Sequence, residues 1–190
     1  MDRQPDTIQS MSEKDKAALL PELIRSMQSR NPSERNNALA ALQYYSSQKE
    51  TVVPLIVNAL QDPAPVVRMM AVRALVKIDP QNTANSKSVS VLVGCLGAPD
   101  GFFRGADAEA ATILGQLHRE PDVAVPALIR ALQSDDGYLR YNAAAALGKF
   151  GSQAEAAVPA LTKALQDSDA QVRRQAAAAI NRINSGAAAN

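Results

Sequence analysis

The stretch PALIRAL, beginning at Pro126, recurs as PALTKAL from Pro159, PLIVNAL from Pro54, PELIRSM from Pro21 and, more faintly, SVLVGCL from Ser90. The steps between successive copies are 33, 36, 36 and 33 residues. A second pattern follows each copy: RNNALAAL from Arg35, RMMAVRAL from Arg68, RYNAAAAL from Arg140 and RRQAAAAI from Arg173. In the third copy its counterpart is DAEAATIL from Asp107, displaced by three residues. Two patterns recurring in register along one chain constrain the fold more than any local propensity does. A period of this length marks structural units that stack on their neighbours.

Each unit reads as two helices. In the first, Val125, Leu128 and Leu132 share one helical face, as do Val158, Leu161 and Leu165, and Val53, Ile56 and Leu60. Proline at the anchor fits an early helical position, where a missing N–H costs nothing. The second helix turns Ala143, Ala146, Leu147 and Phe150 inward, or Ala176, Ala179, Ile180 and Ile183 in the last unit. On that register Ala146→Glu or Ala179→Glu would bury a charge and unfold part of the stack. Acidic turns join the pair: DPAP from Asp62, SDDG from Ser134 and DSDA from Asp167. Asn31, Asp136 and Asp169 stand at N-cap positions, Pro32 and Pro65 at the first helical position, and Glu34 where a capping-box acid belongs. Ser12 is the expected cap of a helix starting at Glu13, with a kink at Pro21. No strand pattern is present.

The acidic turn, the V-R-x-x-A-x-x-A-L-G run and A-V-P-A-L-x-x-A-L resemble HEAT repeats of the short bacterial type named after phycobilisome lyases. Ser134 to Gly148 and Asp167 to Ile183 carry the likeness best. The resemblance implies an all-α, right-handed α-α superhelix, a HEAT-like solenoid of about five two-helix repeats. First helices are then expected on the convex side and second helices on the concave side. The expected organisation is a flexible N-terminal tail over 1–11 and a single repeat domain over 12–184. Its units lie near 12–48, 49–82, 86–119, 121–152 and 154–184, with a tail over 185–190. The ends read as those of a complete, self-capped domain.

Composition agrees with closely packed helices. The chain is 46% hydrophobic but holds only four Tyr, three Phe and no Trp. With 20 Lys and Arg against 19 Asp and Glu, no global charge favours nucleic acid or an anionic membrane. One Cys excludes a disulfide framework, and His118 as the lone His excludes a His-pair metal site. His118 reads as a solvated loop residue and Cys95 as a small packed one. No phosphate loop, catalytic triad or His-Glu iron motif occurs. No catalytic residue, cofactor or metal is expected. Without a signal sequence or apolar span the chain reads as cytoplasmic, with a monomer compatible and the oligomeric state open.

The recurring Arg35, Arg68, Arg140 and Arg173 read as structural, each bonding an acidic turn or carbonyls of the stack. In the third unit the position belongs to Arg104 or Asp107, depending on which helix sets the register. The binding surface is expected on second-helix positions that face away from the core: Tyr44, Met69, Met70, Arg73, Lys77, Tyr141, Lys149, Arg174 and Arg182. Asn36, Asn37, Gln43, Asn142 and other polar neighbours complete the ridge. Phe102 and Phe103, in the lengthened third turn, are a further candidate anchor. These features describe a non-enzymatic scaffold holding a helix or extended segment of another protein in the concave groove. The alternative implied by the resemblance is a phycobilin lyase or a factor in phycobilisome maturation or degradation.

Overall fold

A Cβ atom placed on Gly148 would stand 2.9 Å from the Cα of Ala179, and one on Gly115 would stand 2.8 Å from the Cα of Ala146. Second helices of successive repeats therefore meet backbone to backbone, which only Gly and Ala allow. The computed structural model describes residues 8–79, 86–96 and 106–186. Among them are α1 (Glu13–Ser26), α2 (Pro32–Leu42), α3 (Lys49–Ala59), α4 (Pro65–Ile78), α5 (Ser86–Cys95) and α6 (Ala106–Leu117). The remaining helices are α7 (Pro121–Ala131), α8 (Gly137–Phe150), α9 (Val158–Ala164) and α10 (Ala170–Asn184), and no described residue is in a strand. The chain forms two compact units, Met1–Ser88 and Val89–Asn190, divided within α5.

In the first unit α2 packs on α4, with α1 against α2 and α3 against α4. In the second, α8 lies between α6 and α10, with α7 against α8 and α9 against α10. The inward register follows the expectation: Ala143, Ala146, Leu147, Phe150, Ala176, Ala179 and Ile183 are all buried. Ile180 departs from it, being half-buried where its equivalent Leu147 is fully covered. The reason is position: α10 lies over α8, so Leu147 is roofed by a helix on each side and Ile180 on one side only among the described residues. Tyr45, fully buried, fills the Phe150 position of the first repeat, and its hydroxyl donates to the Lys16 carbonyl at 3.1 Å.

The caps form as expected. Ser12, Asn31, Asp136 and Asp169 each accept a backbone N–H from the first turn of their helix. Glu34, however, is exposed and does not close a capping box, because the Asn31 N–H donates to Ser29 Oγ. Pro159 holds the early helical position expected of the anchor, but the other three anchor prolines lie deeper. Pro21, Pro54 and Pro126 sit inside α1, α3 and α7, and α1 runs on through Pro21. All three face solvent, where water can satisfy the carbonyl one turn earlier.

One local design recurs in four repeats. The residue opening each turn, Ser29, Asp62, Ser134 or Asp167, accepts the N–H two residues later with its side chain. Its carbonyl accepts from the guanidinium six residues later, that of Arg35, Arg68, Arg140 or Arg173, at 2.7–2.8 Å. Where the turn opens with Asp, its carboxylate also receives the Arg of the preceding repeat. Arg35 donates Nε and Nη2 to Asp62, both at 2.7 Å, and Arg140 donates the same pair to Asp167 at 2.8 and 2.9 Å. In the third repeat α6 follows the second-helix register, so Asp107 takes the Arg position and its carboxylate accepts the Ala108 N–H instead. Arg104 lies outside the described residues.

The forks shift the titration of their members. Arg140 and the Asp169 N–H hold the Asp167 carboxyl below its ordinary value. Burial pushes Asp62 upward, but Arg35 and the Ala64 N–H outweigh it and the net shift is down. A depressed carboxylate stabilises the fold above its unfolded pKa and loses that contribution as pH falls through the folded one. Asp167→Ala is therefore expected to cost about 1–3 kcal/mol near neutrality. The deficit against the parent chain should shrink below about pH 4, as read by urea unfolding across pH. Gly148→Ala should cost about 1–3 kcal/mol by overpacking. Gly94→Ala, with nothing within 4 Å, should be neutral or stabilising by up to about 1 kcal/mol. Equal effects in thermal melts would contradict the close helix approach.

Candidate protein-binding face

Positions spaced four apart along each second helix form one stripe that points away from the first helices. In the first unit these are Asn36, Ala40 and Tyr44 on α2 and its edge, then Met69, Arg73 and Lys77 on α4. In the second they are Ala108, Thr112 and Gln116 on α6, Tyr141, Ala145 and Lys149 on α8, and Arg174, Ala178 and Arg182 on α10. Within each unit the stripes are packed side by side because their helices are.

Within the first unit the C-terminal ends of two stripes touch. The Lys77 ammonium stands 3.6 Å from the centroid of the half-buried Tyr44 ring. This cation–π contact holds both side chains across the repeat boundary. Arg73 is exposed and Met70 half-buried. Met69 is not available as expected: only 7% exposed, it belongs to the core. Its place in the stripe falls in the first turn of α4, where the side chain leans back over the repeat interface. Asn36 is half-buried, and its Oδ1 is buried without a hydrogen-bond partner among the described residues.

In the second unit Tyr141 and Lys149 are half-buried, and Arg174 and Arg182 are exposed. The aliphatic stem of Lys149 lies over Gly115 and that of Arg182 over Gly148, so each cation is carried on the stem that roofs the glycine contact. Asn142 is withdrawn from the ridge at 9% exposure. Its amide donates to the Tyr138 carbonyl at 2.7 Å and its Oδ1 accepts from the Thr112 hydroxyl at 3.0 Å, which ties α8 to α6. Phe102 and Phe103 lie outside the described residues. Among the described residues the most exposed aromatic is Tyr138, at 64%. Sequence reasoning passed over it because SDDG reads as a capping turn, and the ring next to the cap needs no partner.

His118 is not a solvated loop residue. It is half-buried with φ 47°, meets the Phe150 ring edge-on at 5.9 Å, and its Nε2 is buried without a partner among the described residues. Burial, and then the Lys149 charge, hold its pKa below the ordinary imidazole value. Cys95 is half-buried on α5. No grouping of three or more His, Cys, Asp or Glu among the described residues is placed to hold a metal. No described helix is long and apolar enough to cross a membrane. Because the folded chain disfavours charged His118, stability is fully present above the ordinary imidazole value and is lost as pH falls through the lower folded one. Thermal midpoints should drop as pH falls below about 7. His118→Asn, which tolerates the left-handed backbone, should flatten that drop. An unchanged slope would place the titration elsewhere.

The architecture is shared with known repeat proteins. A phycocyanin lyase complex of CpcE and CpcF from Nostoc sp. PCC7120 is similar at 28% identity and TM-score 0.61, over 87% of this chain and 65% of that one. An engineered protein is similar at 25% identity and TM-score 0.65, over 96% and 88% of the two chains. A designed armadillo repeat protein in complex with the peptide (KR)4 matches at 16% identity and TM-score 0.62, over 95% and 90%, which shows the shared fold alone. No curated protein sequence matches. The family model for HEAT repeats matches residues 17–111 and 103–181. The chain belongs to the HEAT-repeat family, an all-α solenoid of two-helix repeats.

Proposed function

We propose that the chain is a non-enzymatic scaffold that holds a segment of another protein on the face formed by its second helices. The observation that carries this reading is the stripe itself. Apart from the buried Met69 and Ala108, its residues are half-buried or exposed, and they include Tyr, Lys and Arg rather than a uniform solvating mixture. Tyr and Arg anchor protein interfaces because they offer large contact area at modest entropic cost. A cytoplasmic location belongs to the same proposal.

A second reading rests on the 28% identity to the CpcE–CpcF phycocyanin lyase. It makes the chain a maturation or degradation factor for bilin-bearing proteins, using the same face to hold its client. The chain spans 65% of the matched lyase chain.

Reversing charge at Arg73 and Lys77 together is expected to reduce partner recovery from native lysate several-fold, with the fold retained and only a small fall in melting temperature from the lost Tyr44 contact. If the recovered proteins and their amounts do not change, the first unit's face is not the binding surface. Mixing the purified chain with a bilin-bearing protein and following the visible absorbance band separates the two readings. A shifted band supports the second.

A further inference from the structure

The second unit's ridge has a charge pattern that helix stability does not account for. Neither α8 nor α10 contains a single Asp or Glu, while together they hold Arg140, Lys149, Arg173, Arg174 and Arg182. Arg140 is taken up by Asp167, and Arg173 bonds the carbonyls of Asp167 and Ser168. Lys149 and Arg182 lie in last turns, where a cation favours the helix dipole. Arg174 does not: it sits near the start of α10, where the dipole opposes a positive charge, and it is exposed. Among the described residues Lys149, Arg174 and Arg182 have no ion-pair partner.

These groups frame a shallow seat. Ala145 and Ala178 form its floor, half-buried and without side chains that would project into it. Tyr141 and Arg174 close one end, and Lys149 and Arg182 the other. The two ends are eight residues apart on each helix, or about 12 Å. Adjacent helix axes are about 8 Å apart at so close a contact.

We propose that this seat receives an extended acidic segment of the partner protein, crossing α8 and α10 with carboxylates set three residues apart. Three residues of polyproline-type backbone advance about 9 Å and return to the same face, which matches the step from Lys149 to Arg182. The inference rests on the protein-binding reading and specifies its partner's chemistry. A basic ligand such as the (KR)4 of the armadillo complex would meet like charge here. A nucleic acid is disfavoured by the acidic residues Asp135, Asp136 and Asp169 at the helix starts beside the seat, which repel a continuous polyanion.

The test is a titration of the isotope-labelled full chain, followed by amide chemical shifts. The probes are a synthetic peptide of Glu-Pro-Ala triplets, the (KR)4 peptide and oligothymidine. The Glu peptide should move the amides of Ala145, Ala178 and their neighbours, and binding should weaken with salt. Lys149→Glu with Arg182→Glu should reduce its affinity at least about tenfold, with the helical circular-dichroism spectrum retained and only a modest fall in melting temperature from the lost dipole and stem contacts. Arg174→Glu alone is the second variant and should weaken it by a smaller factor. Binding that survives both, or that maps elsewhere, overturns the proposal. If (KR)4 alone moves the same amides, the acidic segment is wrong but protein binding at this face stands. If only oligothymidine does so, both fall.

Discussion

The guanidinium–carboxylate fork between successive repeats is the contact on which the register of each unit depends. A two-helix repeat cannot bury its own apolar face, so it needs a neighbour at a defined height. Apolar packing supplies the attraction but tolerates sliding by a turn. The fork does not, because Arg35 on Asp62 and Arg140 on Asp167 fix two parallel hydrogen bonds within 2.9 Å while the same guanidinium holds its own turn. Between α8 and α10 the Gly148 contact adds a second fixed point farther along the same helices. Held at these two points, α8 and α10 have one arrangement, and the stripes of side chains they present inherit that order.

Much of this was legible in the repeat. The period located both helices of every unit, the alanines at the close contacts and the caps at Asn31, Asp136 and Asp169, because each depends on residues near in sequence. What escaped depends on the neighbouring unit. The pairing of the recurring Arg with an acidic turn was expected from the repeat, but that Asp at the head of the turn, and not Ser, receives the Arg of the preceding repeat is visible only in the fork. Met69 and Asn142 fell on the open side of a helical wheel yet are covered, since a wheel contains no adjacent helix. His118 was misread for the same reason: the Phe150 ring that covers it lies thirty-two residues away in the chain.

The face left open by this packing has a character of its own in each unit. In the first, Tyr44 and Lys77 are spent on one another, so the surface is pre-ordered and its charge partly absorbed by a ring. In the second, the cations are separate and stand on stems laid over glycine. Aromatic rings and fixed cations favour a folded or extended polypeptide with directional polar groups over a featureless apolar one. The family's repeat architecture supports many partners, and on the proposed reading specificity would lie in these few substitutions along the stripes rather than in the fold.

The glycine contacts also have a mechanical consequence. Where α6, α8 and α10 meet through Gly115 and Gly148, little intervening side chain is left to compress or shear. The first helices α7 and α9 are joined mainly through the segment Gly151–Ala157 and through the second helices. Within the second unit, bending strain is therefore taken up on the first-helix side, and the second-helix edge behaves as an inextensible spine. Side chains carried on that edge are thereby held at a constant pitch.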